Sequence, residues 1–222
     1  MADGKSILVI GASRGLGLGL AEEFARRGWQ VIASERSKSA ALHGLEGVDV
    51  VTADVTDPES YADLDLVDGS LDAVVINAGI SGARHQSADR ATEEEVAEVM
   101  MTNAFGPARA ARALLPKVKR GGALAFMSSL MGSVADSSGG YELYRSSKAA
   151  LNMLAKGIAE QDARPRDVEV LSLHPGWVQT DMGGPNATLT VAQSVRGLAN
   201  VIEGAGGAGY RFVDYTGKAL PF

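Results

Sequence analysis

Seven short apolar runs, separated by longer segments with a helical stripe, constrain this chain more than any other feature. Ile7–Ile10 stops at Gly11, Val31–Ala33 follows Gly28, and Val48–Thr52 follows Gly47. Ala73–Ile76 runs into Asn77, Ala78 and Gly79; Ala123–Met127 runs into Ser128 and Ser129. Val168–Leu173 ends at His174, Pro175 and Gly176, and Tyr210–Val213 comes last. Runs this short, rich in Val and Ile and apolar at consecutive positions, read as strands buried on both faces. Between them, sets such as Leu16, Leu20, Phe24 and Leu143, Ala150, Leu151, Leu154, Ile158 recur at helical spacing. The alternation predicts a parallel sheet, and right-handed crossovers make it a doubly wound, Rossmann-like α/β fold of about seven strands with helices on both faces. No linker, charge block or internal repeat divides the 222 residues, so a single domain over 1–222 is expected.

Composition narrows the function classes. Hydrophobic residues are 45% and charged ones 22%, a balance that supports a packed core rather than disorder. Lys plus Arg number 21 against 27 Asp plus Glu, a net charge of −6, so nothing favours a nucleic-acid partner. There are no cysteines, which removes thiolate nucleophiles and cysteine-ligated metals, and the three histidines are too scattered to suggest a metal site. No apolar run approaches the ~20 residues of a membrane helix, and Met1–Gly11 lacks the shape of a secretion signal. The expectation is a cytoplasmic protein with neither membrane nor nucleic acid as partner.

The first strand is followed by Gly11, Ser13, Arg14, Gly15, Leu16 and Gly17, then by a helical stripe. Glycines at a strand-to-helix turn let backbone amides approach a diphosphate that a Cβ would keep away, and the helix N-terminus favours the negative charge. The spacing is G-x-x-x-G-x-G rather than the general dinucleotide fingerprint. A dinucleotide site also places a side chain at the end of the second strand to meet the adenosine ribose. Glu35 stands there, and a carboxylate accepts ribose hydroxyls while repelling a 2′-phosphate; Arg36 and Arg14 carry the opposite signal. Both NAD and NADP fit, with a slight lean to NAD from Glu35.

Tyr144 and Lys148 lie four residues apart in a segment of strong helical periodicity, so they share one face. A phenol titrates near pH 10 and is a poor base at neutral pH, but an adjacent ammonium stabilises the phenolate. The pair can exchange a proton with a substrate oxygen while hydride moves to or from a nicotinamide. Ser128 and Ser129 end a strand, at the edge where doubly wound sheets place ligands, and either hydroxyl could hold that oxygen.

Taken together, the motifs resemble those of the short-chain dehydrogenase/reductase family, nearly end to end. The glycine turn Gly11–Gly17, Asp54-Val55, Asn77-Ala78-Gly79, Asn103, the Ser-Ser before Gly132, Tyr144-x-x-x-Lys148 and the Pro175–Thr180 segment follow that family's order. The resemblance implies that Tyr144 is the acid/base, that Ser129 orients a carbonyl, that Lys148 binds the nicotinamide ribose and tunes Tyr144, and that Asn103 anchors a water relay. It also implies adenine contacts from Asp54 and Val55, a ribose-side role for Asn77 with Ala78 and Gly79, and carboxamide contacts from Val178 and Thr180 beyond Pro175 and Gly176. A carbonyl or alcohol of small-molecule size is the implied substrate. Pairing through the helices of Asn103 and Tyr144 implies a homodimer or homotetramer.

Two departures stand out. Ser129 and Tyr144 are farther apart than in most of the family, with Asp136–Gly140 as the longer loop, and few residues separate Asp181 from the helical pattern near Thr190. Gly139 to Lys148 and the Asp214–Phe222 ending are most similar to the subgroup of Sniffer-type carbonyl reductases and bacterial C-factor signalling proteins. That subgroup keeps a second expectation open, a cofactor-binding signalling protein with little turnover. Tyr141 has no lysine four residues on and is expected to be a wall or surface aromatic; Trp29 and Trp177 are each compatible with core.

Overall fold

A computed structural model describes residues 4–62 and 64–222. Its strands are β1 Ser6–Ile10, β2 Gln30–Glu35, β3 Val48–Thr52, β4 Leu71–Ile76, β5 Val118–Met127, β6 Glu169–His174 and β7 Gly209–Asp214. They form one sheet in the order β3-β2-β1-β4-β5-β6-β7, parallel throughout. The helices are α1 Gly15–Arg26, α2 Ala40–His43, α3 Pro58–Ala62, α4 Glu93–Met100, α5 Gly106–Leu114, α6 Glu142–Ile158 and α7 Val191–Glu203. The expected doubly wound architecture is thus the observed one. Because the strand order reverses between β1 and β4, the carboxyl ends of those strands open a crevice there.

The consecutive apolar residues of each strand serve two cores. Leu8, Ile10, Val74, Ile76, Leu124 and Phe126 point to one face, where they meet Leu114 of α5 and Leu151 and Ile158 of α6. Ile7, Val9, Val75, Ala125 and Leu171 point to the other and pack under Leu20 and Phe24 of α1 and Val195 and Leu198 of α7. A strand with both faces covered cannot alternate apolar with polar, which is why the runs were continuous. Trp29 belongs to this second core, edge-on to Phe24 with ring centroids 4.8 Å apart.

Differences from the expected elements have local causes. β5 begins at Val118, ahead of the apolar run, through Lys119, Arg120 and two glycines. Lys119 is stabilised there by Asp72 at 2.7 Å, and the register shifts between Leu71 and Ala73 to admit the extra residues. Between α4 and α5 the backbone takes a π-helical turn over Met101–Phe105, centred on Asn103, a feature often found at functional sites. Among the described residues no helix is long and apolar enough to cross a membrane.

Candidate active site

A cleft of about 940 Å³ lies across the carboxyl ends of the strands at the switch point. Its floor is the glycine turn. Gly11 N–H donates to Ser34 Oγ at 3.0 Å, Ala12 N–H to Ser34 O at 2.7 Å, and Asn77 Nδ2 donates to Gly11 O at 2.8 Å, so three strand ends hold the turn. The helix comes so close to the turn that a Cβ on Gly17 would fall 2.1 Å from Gly11 O. Gly17 therefore serves the packing from behind, while Gly11, Ser13, Arg14, Gly15 and Leu16 line the cleft. Helix α1 starts at Gly15 with no side-chain cap and no acidic residue in its first turn. Uncapped N–H donors at the positive end of a helix, facing a cavity, suit a diphosphate. The residues present fit a dinucleotide.

At the end of β2 the structure corrects one expectation. The Glu35 carboxylate turns away from the cleft, accepting from Ser39 N–H at 2.6 Å and meeting His43 Nε2 at 2.9 Å. Its bond to His43, with that to Ser39, holds it below the usual carboxylate range. Buried in these contacts at the start of α2, it is not among the cleft residues; Arg36, its neighbour, is. Arg36 is exposed, with its guanidinium 3.8 Å from Asp54, and Asp54 and Val55 line the cleft with it; Arg14 pairs instead with Asp181 at 2.7 Å.

The candidate reactive residues converge from two elements, α6 and the end of β5. Tyr144 and Lys148 share one face of α6, with Lys148 Nζ 5.7 Å from the Tyr144 ring centroid and donating to Met127 O at 2.8 Å. Burial pushes the Tyr144 phenol up to about 12, offset in part by its hydrogen bond with Ser129. Burial likewise pulls Lys148 down to about 8. The expected lowering of Tyr144 by the lysine is therefore not what the geometry produces: desolvation dominates, and Lys148 directs its hydrogen bond to the Met127 carbonyl. Ser128 donates to Asn152 Oδ1 at 2.6 Å, whereas the Ser129 side chain accepts from Met131 N–H at 3.1 Å and bonds to Tyr144. Ser129, the serine that the family resemblance singles out, thus stands beside Tyr144, while Ser128 is taken up by Asn152.

Asn103 is wholly buried behind the cleft. Its amide forms a pair of bonds with the Ile80 backbone, both 2.8 Å, and donates to Ser147 Oγ at 3.0 Å, between Tyr144 and Lys148 on α6. A Cβ on Gly79 would lie 3.3 Å from Asn103 Oδ1 and 3.4 Å from Lys148 Nζ, so a larger residue there would crowd both groups. Ala78 and Gly79 line the cleft beside Asn77.

Beyond β6, Pro175, Gly176, Val178 and Thr180 form the opposite wall. The short segment to α7 folds on itself: Leu189 N–H donates to Trp177 O at 3.0 Å, Gln179 N–H to Leu189 O at 2.9 Å, and Trp177 Nε1 to Gly183 O at 2.8 Å. Trp177 is thus a half-exposed rim residue and not core.

One residue that sequence reasoning passed over holds the start of α6, the helix of Tyr144 and Lys148. Tyr141, before α6, is left-handed with φ 51° and offers no side-chain cap. Gln86, from the loop after β4, supplies the acceptors instead: its backbone O takes Glu142 N–H at 2.9 Å and its Oε1 takes Tyr144 N–H at 3.0 Å. Its Nε2 donates to Ser81 O at 2.7 Å and Ala83 O at 2.6 Å. No motif announces a glutamine that caps a helix 58 positions later.

Comparison with known proteins agrees with this geometry. A family model described as short chain dehydrogenase matches residues 5–189. The C-signal protein of Myxococcus xanthus is 42% identical over 158 residues, 69% of this chain and 94% of that protein. A carbonyl reductase from Pseudomonas aeruginosa PAO1, solved in complex with NADP, superposes with a TM-score of 0.90 at 41% identity, over 99% of this chain and 100% of that one. Carbonyl reductase Sniffer of D. melanogaster superposes at 0.89 with 30% identity, over 99% of this chain and 100% of that one.

Proposed function

This chain belongs to the short-chain dehydrogenase family and is an NAD(P)-dependent oxidoreductase, and we propose that it reduces a ketone or aldehyde with NADPH, Tyr144 delivering the proton. The observation that carries the reading is the convergence of Ser129, Tyr144 and Lys148 in the cleft that the α1 N-terminus also faces. Bound there, the nicotinamide would supply the hydride. Ser129 holds the carbonyl oxygen beside the Tyr144 hydroxyl. Tyr144, its phenol kept protonated at neutral pH by burial, stands ready as the acid that carbonyl reduction needs. Lys148, poised near 8, can hold or release a proton at Nζ within the working range. Asn103 and Gln86 position α6 from either side of Tyr144.

Support for NADPH comes from the withdrawal of Glu35 into its contacts with Ser39 and His43. That leaves Arg36, beside Asp54 and Val55 in the cleft lining, as a guanidinium that suits a 2′-phosphate. The lean to NAD drawn from Glu35 is replaced accordingly. Exposed Val96, Phe105 and Met153 on the helices that flank the site support self-association as a homodimer or homotetramer. The cysteine-free composition supports a cytoplasmic placement.

NADPH oxidation with a panel of aldehydes and ketones tests the reading. Wild type should turn over and Tyr144→Phe should not, while calorimetry finds NADPH affinity nearly unchanged in the variant. Normal turnover by Tyr144→Phe would overturn the assignment. A second reading, cofactor-dependent signalling with little turnover, is favoured by the likeness to C-signal, and binding of NADPH without reduction of any carbonyl would support it.

A further inference from the structure

The cleft holds two arginines for which the reaction above has no use. Arg84, in the loop after β4, and Arg145, beside Tyr144 on α6, both line it. The other two cleft arginines have partners: Arg14 meets Asp181 at 2.7 Å and Arg36 reaches Asp54 at 3.8 Å. Among the described residues neither Arg84 nor Arg145 has a carboxylate within ion-pair reach. Arg145 Nε is moreover fully buried and makes no hydrogen bond. A buried guanidinium N–H without an acceptor is rare and costly, and such an orphan invites an explanation.

The fold brings the two together. Gln86 ties the loop of Arg84 to the first turn of α6, which carries Arg145, through the bonds to Glu142 and Tyr144. Of the aspartates lining the cleft, Asp54 and Asp181 face Arg36 and Arg14, and Asp136 is exposed, so water screens it. Ile80, Leu130 and Met131 add apolar wall.

We propose that this end of the cleft is an anion subsite, and that the substrate is an oxo acid whose carboxylate is held by Arg145 and Arg84 while its carbonyl faces Tyr144 and Ser129. This rests on the carbonyl-reductase reading and names its substrate class. A guanidinium takes a carboxylate by parallel N–H bonds; Nε being sealed off, the terminal nitrogens of Arg145 and Arg84 would supply them, and the orphaned Nε is the cost of holding Arg145 at the cleft. Apolar walls between the two ends suit a short hydrocarbon spacer.

The test compares NADPH-dependent reduction of a series of oxo acids with that of their methyl esters. Wild type should favour the acid in kcat/KM by about tenfold or more. That preference should collapse in Arg145→Met, chiefly through KM. Arg84→Ala, on an exposed loop, should reduce it too and guards against misfolding of the first variant. Saturated acids of matching length should compete with the carbonyl substrate, and their esters should not. Equal use of acid and ester by wild type, or a preference that survives both substitutions, overturns the subsite while leaving the reductase reading intact. Should neither series be reduced, the reductase reading fails separately. Protection of the NADPH-loaded protein against heat by the saturated acid, lost in both variants, would then still support the subsite, and its absence would overturn it.

Discussion

Helices α1 and α7 pack side by side on the same face of the sheet, Gly19 of one against Val191 and Val195 of the other, yet they begin in opposite ways. α7 closes its own first turn: Gln193 N–H donates to Thr190 Oγ1 at 3.2 Å, and Thr190 N–H returns to Gln193 Oε1 at 2.9 Å. α1 leaves its first turn open, with Arg14 at the cap position and no side chain accepting. α6 follows a third course and takes its acceptors from Gln86 on a distant loop. A helix whose task is packing satisfies its donors locally. The one that faces the cleft leaves them free, and the one that carries Tyr144 and Lys148 is pinned from outside by a residue that also lines the cleft.

Each of these three beginnings can be broken. The largest effect should come from the burial that α6 imposes on Lys148. Its folded value near 8 lies below the ordinary 10.5, so between those values the unfolded chain binds more protons and stability rises with pH. The penalty is complete below pH 8, up to about 3 kcal/mol. Lys148→Met should therefore be the more stable protein in neutral urea titrations, less the loss of its bond to Met127, with the gap narrowing towards pH 10.5. A gap independent of pH would break the account of Lys148.

Next, Arg14→Asp should give α1 the cap that α7 already has. The variant should lose NADPH affinity by about a hundredfold, since a carboxylate would occupy the open donors and repel phosphate. It should also gain thermal stability from the cap, less the loss of the exposed Arg14–Asp181 pair. Calorimetry and a melting curve on the same sample would show whether the two move in opposite directions. Gln86→Ala should lower kcat by about tenfold with little change in NADPH affinity. Gln86→Glu, which keeps the acceptor for Tyr144 N–H, should restore part of it. Equal losses in both variants would reduce Gln86 to a loop residue. The smallest effect belongs to Thr190→Ala, which should cost about 1 kcal/mol of stability by loss of the cap and leave cofactor affinity unchanged.

The amino-acid sequence alone determined the elements and their sense. Continuous Val- and Ile-rich runs can sit only where both faces are covered, and helical stripes between them force parallel strands and the switch-point crevice. It also determined that Tyr144 and Lys148 share a face, because a spacing of four is local geometry. Other features depended on parts of the chain far apart in sequence. Glu35 looked available for a ribose until Ser39 and His43 were seen to enclose it. The family resemblance had already singled out Ser129, but only the fold shows Ser128 taken up by Asn152. The phenol of Tyr144 rose where an adjacent ammonium suggested a fall, because desolvation depends on everything packed around the group and not on its nearest charged neighbour. Gln86 and Arg145 gained their interest in the same way, one by finding partners across the fold and the other by finding none. Spacing along the chain sets direction within a helix or strand. Which polar groups are satisfied, and by what, is decided only when the elements close around them.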